Sequence, residues 1–114
     1  MKRVAILGSS GSIGVTTLKV IKQYPREFTL EALAVNKNID SLKKQAAEFK
    51  PGKIAVGDEE TGKKIKKIGT CDIHYGIEGL NKIASDKDVD IVVIGLSGSV
   101  ALHPLLSAIR AGKH

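Results

Sequence analysis

Val4-Ala5-Ile6-Leu7-Gly8-Ser9-Ser10-Gly11-Ser12-Ile13-Gly14 is the stretch that decides the fold. Its first four residues form an apolar run that stops at glycine, the pattern of a strand buried on both faces. The glycines that follow are spaced G-x-x-G-x-x-G and open a helix expected from Ser12 to Gln23. Along that helix Gly14, Leu18 and Ile21 recur at i, i+4 and i+7, a single stripe able to face a sheet. Pro25 ends the helix, and a second strand is expected over Phe28–Val35. Strand, turn, helix and strand together make a βαβ unit of about 30 residues, the size such a unit requires.

The same alternation continues outward. A helix is expected over Ile39–Phe49, with Ile39, Leu42, Ala46 and Phe49 along one face, before Pro51-Gly52 breaks the chain. A third strand over Ile54–Val56 follows, then a lysine-rich helix over Glu60–Ile68, a short strand at Asp72–Tyr75 and a helix over Ile77–Ser85. Ile91-Val92-Val93-Ile94 is a second buried strand, and it too runs into small residues, Gly95-Leu96-Ser97-Gly98-Ser99. The last helix, Val100–Arg110, sets Leu102, Leu105, Leu106 and Ile109 to one side and tolerates Pro104 near its first turn. Gly112 sits where a helix C-cap belongs. Strands and helices alternating in this way imply right-handed crossovers and an α/β fold. The expected form is a Rossmann-type doubly wound parallel sheet with helices on both faces. Because the sequence stops after a helix, where another strand of such a sheet is due, the expectation is an N-terminal fragment. Residues 1–114 would be one cofactor-binding domain, truncated before the sheet's later strands, with metal, substrate and C-terminal domains lying outside it.

Composition narrows the function classes. Aromatic residues make up only 4% of the chain, so Ile, Leu, Val and Ala must fill the core, as parallel strands under helices prefer. No apolar run approaches the roughly 18–20 residues that span a bilayer, and Val4–Leu7 is too short for a secretory signal. A lone Cys71 cannot make an internal disulfide. These features give no membrane partner and a cytoplasmic expectation. The net charge of +6 suits anionic ligands, phosphates and nucleic acid alike. The densest cluster, Lys63-Lys64-Ile65-Lys66-Lys67, has only Tyr75 near it for base stacking. It reads as a solvated helix face, so no nucleic-acid partner is expected. His74, His103 and His114 lack Cys or carboxylate neighbours at metal-ligand spacing, and no metal site is expected in the chain.

The glycine turn carries the chemistry. Binding a diphosphate between strand and helix needs a tight turn, close approach of the main chain and close helix–sheet packing. Gly8, Gly11 and Gly14 supply these in order, the N–H groups of Ser12 and Ile13 point from the helix N-terminus, and the hydroxyls of Ser9, Ser10 and Ser12 add donors. No Gly-Lys-Ser/Thr follows, which disfavours a mononucleotide P-loop. After the second strand an NAD site places an acid for the ribose hydroxyls. Here Asn36-Lys37-Asn38 stands instead, with no carboxylate from Ala32 through Asn38. A cation and two amides favour the 2′-phosphate of NADPH. Asn38 also suits the N-cap of the next helix.

Ile6–Gly14, Asn36-Lys37-Asn38 and Ser107-Ala108-Ile109-Arg110-Ala111-Gly112-Lys113 together resemble the N-terminal portion of the 1-deoxy-D-xylulose 5-phosphate reductoisomerases, at matching spacing along the whole chain. The resemblance implies an NADPH-dependent enzyme of non-mevalonate isoprenoid biosynthesis. Such an enzyme rearranges 1-deoxy-D-xylulose 5-phosphate and reduces the product to 2-C-methyl-D-erythritol 4-phosphate, as a homodimer using Mg²⁺, Mn²⁺ or Co²⁺. Cofactor contacts carry over to Ser10, Gly11, Ser12 and Ile13, and to Lys37 and Asn38. Ser10 stands where threonine is frequent in the family, and Asn36 where glycine is. The family's metal ligands, substrate-phosphate site and lid lie beyond His114, so this chain alone is expected to be inactive. Three other readings compete: a different NADP-dependent reductase of the semialdehyde or dihydrodipicolinate type, a non-catalytic nucleotide-sensing module, and an RNA-binding domain.

Overall fold

Among the described residues the apolar runs become strands and the period-3.6 stripes become helices. In chain order these are β1 (Lys2–Leu7), α1 (Ser12–Gln23), β2 (Phe28–Val35), α2 (Ile39–Phe49), β3 (Lys53–Val56), α3 (Glu59–Lys63), β4 (Asp72–Tyr75), α4 (Gly76–Ala84) and β5 (Ile91–Ile94). They belong to a computed structural model that describes residues 2–63, 72–95, 109 and 112. The strands form one parallel sheet in the order β4-β3-β2-β1-β5. The chain therefore walks outward from β1 to β4, then crosses back to the far side of β1. That reversal puts a topological switch point between β1 and β5, at the carboxyl edge where open parallel sheets bind ligands.

Right-handed crossovers place helices of the outward walk on one face and the helix of the return on the other. The core divides accordingly. Leu18 and Ile21 of α1 and Leu42 and Ala46 of α2 pack with Val4, Ile6, Leu33, Val35, Ile54 and Val56. On the opposite face Leu80, Ile83 and Ala84 of α4 pack with Ala5, Leu7, Ala32, Ala34 and Ala55. Strand alternation thus sorts branched side chains to one face and mainly alanines to the other. One irregularity keeps this sorting intact. Val4 pairs with Leu30 but Ala5 with Ala32, so Glu31 is an extra residue, and the slip sends Leu30 and Ala32 to opposite faces.

The expected stripe Gly14, Leu18, Ile21 is the buried face of α1. The main differences from expectation lie at element starts. β1 begins at Lys2 rather than Val4, because Lys2 and Arg3 continue the ladder opposite Phe28 and Thr29. Likewise β3 begins at Lys53, opposite Ala32. The expected helix Glu60–Ile68 starts one residue earlier and is described only to Lys63; its remainder, with Cys71, lies outside the described residues. Of the last expected helix only Ile109 is described, helical and exposed.

Charged groups gather at the amino edge of the sheet, away from the switch point. The Asp90 carboxylate accepts from the Arg3 backbone N–H at 2.8 Å and from Arg3 Nε at 3.2 Å, fastening β1 to the start of β5. Lys53 pairs with Asp86 and, at 3.5 Å, with Asp88, which also meets Arg3 at 3.6 Å. The Arg3 side chain and then its backbone N–H hold the Asp90 carboxyl down to about 2, below its usual 3.8. A depressed carboxyl stabilises the fold above its unfolded value, and that contribution is lost as pH falls through about 2. Asp90→Asn should therefore be less stable at pH 7 and lose less on acidification from about pH 4 to 2. Denaturant midpoints for both proteins across that range check this; parallel curves would contradict it.

Candidate functional site

The turn between β1 and α1 is held mainly by backbone hydrogen bonds, within itself and to β2. Gly8 has φ 92°, a left-handed conformation that side chains oppose. The N–H groups of Gly8 and Ser9 both donate to the Ala34 carbonyl, at 2.8 and 2.9 Å, and Gly11 N–H donates to Gly8 O at 3.3 Å. Val15 N–H then donates to Gly11 O at 2.9 Å and starts the helical ladder. Gly11 is the N-cap of α1, without a side-chain cap, and the first turn carries no acid. The amides of Ser12 and Ile13 precede the ladder and are the orphan donors of a helix N-terminus. Ser10 N–H has no partner among the described residues. The Gly8, Ser9 and Gly11 amides fold the turn, and those of Ser10, Ser12, Ile13 and Gly14 have no backbone partner among the described residues.

Gly14 explains how closely α1 approaches. A Cβ there would lie 2.4 Å from Gly8 O and 2.5 Å from Ser9 Cα, whereas one on Gly11 would meet only Gly8 O at 3.7 Å. Gly14 is thus the packing contact and Gly11 the open approach, as the spacing predicted. Gly95 brings the loop after β5 alongside: its N–H donates to Leu7 O, and its Cβ would lie 3.4 Å from Gly8 O. Residues 96–99 of that loop lie outside the described residues.

The predicted residues separate by exposure. Gly11, Ser12 and Ile13 are exposed, Ser10 is half-buried, and Gly8, Ser9 and Gly14 are buried. Ser9 is fully enclosed and its Oγ has no partner among the described residues, so that hydroxyl lies behind the turn rather than on its open side. Asn36, Lys37 and Asn38 are all exposed at the carboxyl end of β2. The chain after β3 braces them, Asp58 N–H donating to Asn36 O at 2.9 Å. Asn38 caps α2 through Oδ1, which accepts from Ser41 N–H at 3.2 Å.

Sequence reasoning missed Gln45. Its Nε2 donates to Ser9 O at 2.9 Å from α2. The available signal was a polar residue one position before Ala46, beside the apolar stripe Leu42–Phe49. Among the described residues Ser9 Oγ and Gln45 Oε1 are both enclosed without a hydrogen-bond partner. Sequence reasoning also missed a cleft of about 440 Å³ at the carboxyl ends of β3 and β4, lined by Gly57, Glu59, Tyr75, Gly76, Ile77 and Glu78. His74 on β4 is half-buried, and burial, then Lys82, lowers its pKa from the usual 6.5. Among the described residues no three His, Cys, Asp or Glu side chains gather as a metal site, and no helix is long and apolar enough to cross a membrane.

A glycine turn at the switch point of a parallel, doubly wound sheet defines the class: a Rossmann-type α/β domain. The sequence model of 1-deoxy-D-xylulose 5-phosphate reductoisomerase matches residues 4–114, and the chain belongs to that family. It is 46% identical over 115 residues to the reductoisomerase of Geobacillus kaustophilus, covering 99% of this chain and 30% of the relative. To that of Chlorobium limicola it is 41% identical over 117 residues, covering 100% and 31%. A crystal structure of DOX-P reductoisomerase in complex with NADPH, fosmidomycin and magnesium superposes with a TM-score of 0.90 at 38% identity, covering all of this chain and 29% of that one. The Zymomonas mobilis enzyme in complex with NADPH gives 0.90 at 26% identity, covering 98% and 30%. The chain thus spans about 30% of the length of the relatives it matches.

Gly14→Ala should drive a methyl into the Gly8–Ser9 backbone and destabilise the domain by about 1–3 kcal/mol. Gly11→Ala, whose methyl would make only an ordinary van der Waals contact with Gly8 O, should cost about half as much or less. Thermal or denaturant melts of the two variants check the ranking, and equal losses would contradict it.

Proposed function

We propose that this chain binds NADPH, as the cofactor domain of a reductoisomerase acting on 1-deoxy-D-xylulose 5-phosphate. The observation that carries the reading is the set of unpartnered amides at Ser10, Ser12 and Ile13, beside a turn whose Gly8, Ser9 and Gly11 amides are already bonded. The residues present fit a dinucleotide. Gly11 is exposed and carries no side chain beside those donors, and no acid in the first turn of α1 repels a diphosphate. The helix terminus adds about 0.3–1 kcal/mol toward an anion. Lys37, with the amides of Asn36 and Asn38, offers charge-assisted hydrogen bonds to a 2′-phosphate. Gly8, Ser9 and Gly14 contribute by shaping the turn.

When bound, NADPH supplies the hydride for reduction. The chain's own part is to hold the diphosphate at the switch point and select the 2′-phosphate. The rest of the reading follows the family: a sugar-phosphate substrate converted to 2-C-methyl-D-erythritol 4-phosphate, a divalent metal held outside residues 1–114, a homodimer, and the cytoplasm as compartment. Two solved relatives support it through the NADPH bound in them.

Titrating the chain with NADPH and NADH tests the selectivity. Wild type should prefer NADPH, and Lys37→Glu should reduce that preference by about tenfold, at the modest end expected for an exposed charge. An unchanged preference would remove Lys37 from the site. Equal affinity of wild type for both cofactors would overturn the selectivity altogether.

A further inference from the structure

Gln45 lies on α2, which the function so far has not used, yet its side chain reaches the turn. We infer that Gln45 is a positioning residue for the diphosphate-binding turn, acting through the Ser9 carbonyl. This inference rests on the NADPH reading given above.

The Ser9–Ser10 peptide is what Gln45 controls. Gln45 Nε2 donates to Ser9 O at 2.9 Å, while Ser9 N–H is committed to Ala34 O. In a trans peptide the carbonyl and the following N–H point in opposite directions. Holding Ser9 O toward α2 therefore turns Ser10 N–H away from α2, and that amide has no partner among the described residues. Without the Gln45 donor the peptide is free to rotate, and one outward donor is lost. Ser9 is wholly enclosed, so no bound ligand can replace the missing hydrogen bond. The residue requirement is narrow. It takes a neutral donor on a side chain long enough to cross from α2, and a carboxylate there would set acceptor against acceptor.

α2 is also the helix that Asn38 caps through Ser41 N–H. Gln45 thus ties the turn to the element whose start carries Asn36-Lys37-Asn38. Gln45 acts on the diphosphate half of the ligand only, because the Ser9 carbonyl lies in the turn and not in that segment.

Calorimetric titrations with NADP⁺, NAD⁺ and adenosine 2′-monophosphate separate the two halves. Gln45→Met should weaken NADP⁺ and NAD⁺ by the same factor, about tenfold, and leave adenosine 2′-monophosphate within about twofold. Gln45→Glu, which keeps the length and reverses the donor, should weaken the dinucleotides further. Circular dichroism and melting must show both variants folded; loss of the fold in both would mark Gln45 as a folding residue and overturn the inference. Unchanged dinucleotide affinity, or an equal loss on all three ligands, would overturn it as well. Failure of the wild-type chain to bind NADP⁺ would instead overturn the cofactor reading, and this inference with it.

Discussion

Gly14 in α1 sits so close to the backbone of Gly8 and Ser9 that a Cβ there would lie 2.4 Å from Gly8 O. This approach needs a residue without a Cβ, and it sets where the helix begins relative to the end of β1. With the helix seated there, the amides of Gly8 and Ser9 fold back onto Ala34 O of the neighbouring strand, and Gly11 N–H turns back onto Gly8 O. The remaining donors then face the sheet's carboxyl edge. Function here is a matter of which backbone groups the fold consumes and which it leaves. No side chain caps the helix, and the site depends on that vacancy in the hydrogen-bond ladder.

The sheet supports this arrangement by sorting side-chain size between its faces. Branched residues under α1 and α2 fill the thicker face, and alanines line the face that α4 covers. The bulge at Glu31 lets one strand serve both, because it shifts the alternation where Leu30 must face one helix layer and Ala32 the other. The ionic groups stand at the opposite edge. Arg3, Lys53, Asp86, Asp88 and Asp90 fasten strand starts together and leave the carboxyl edge to the glycine turn and the exposed Asn36–Asn38 segment.

Much of this was legible in the sequence, for definite physical reasons. Gly14, Leu18 and Ile21 repeat at helical spacing, and the same three are the buried residues of α1. The Phe28–Val35 strand and the Ile39–Phe49 helix have the bounds their patterns predicted, because Pro25 and Pro51-Gly52 punctuate the chain beside them. Less was legible where the cause is a long-range partner. Lys2 and Arg3 look like a polar terminus, yet they are strand residues because Phe28 and Thr29 stand opposite. Ser9 reads as one of several loop hydroxyls until Ala34 and Gln45 are seen to enclose its backbone. No local pattern encodes a contact between residues 36 positions apart. The strand order, with β5 returning beside β1, is likewise a property of the crossovers and not of any one segment.

Amide NMR of the chain during titration with NADPH measures most directly which donors the turn presents. The largest shifts and slowed exchange are expected at Ser10, Ser12 and Ile13, with smaller changes at Ser9 and Gly11, whose amides are already bonded to Ala34 O and Gly8 O. Saturation with those three amides unmoved, and the changes gathered instead around Asp86–Asp90 at the amino edge, would contradict this.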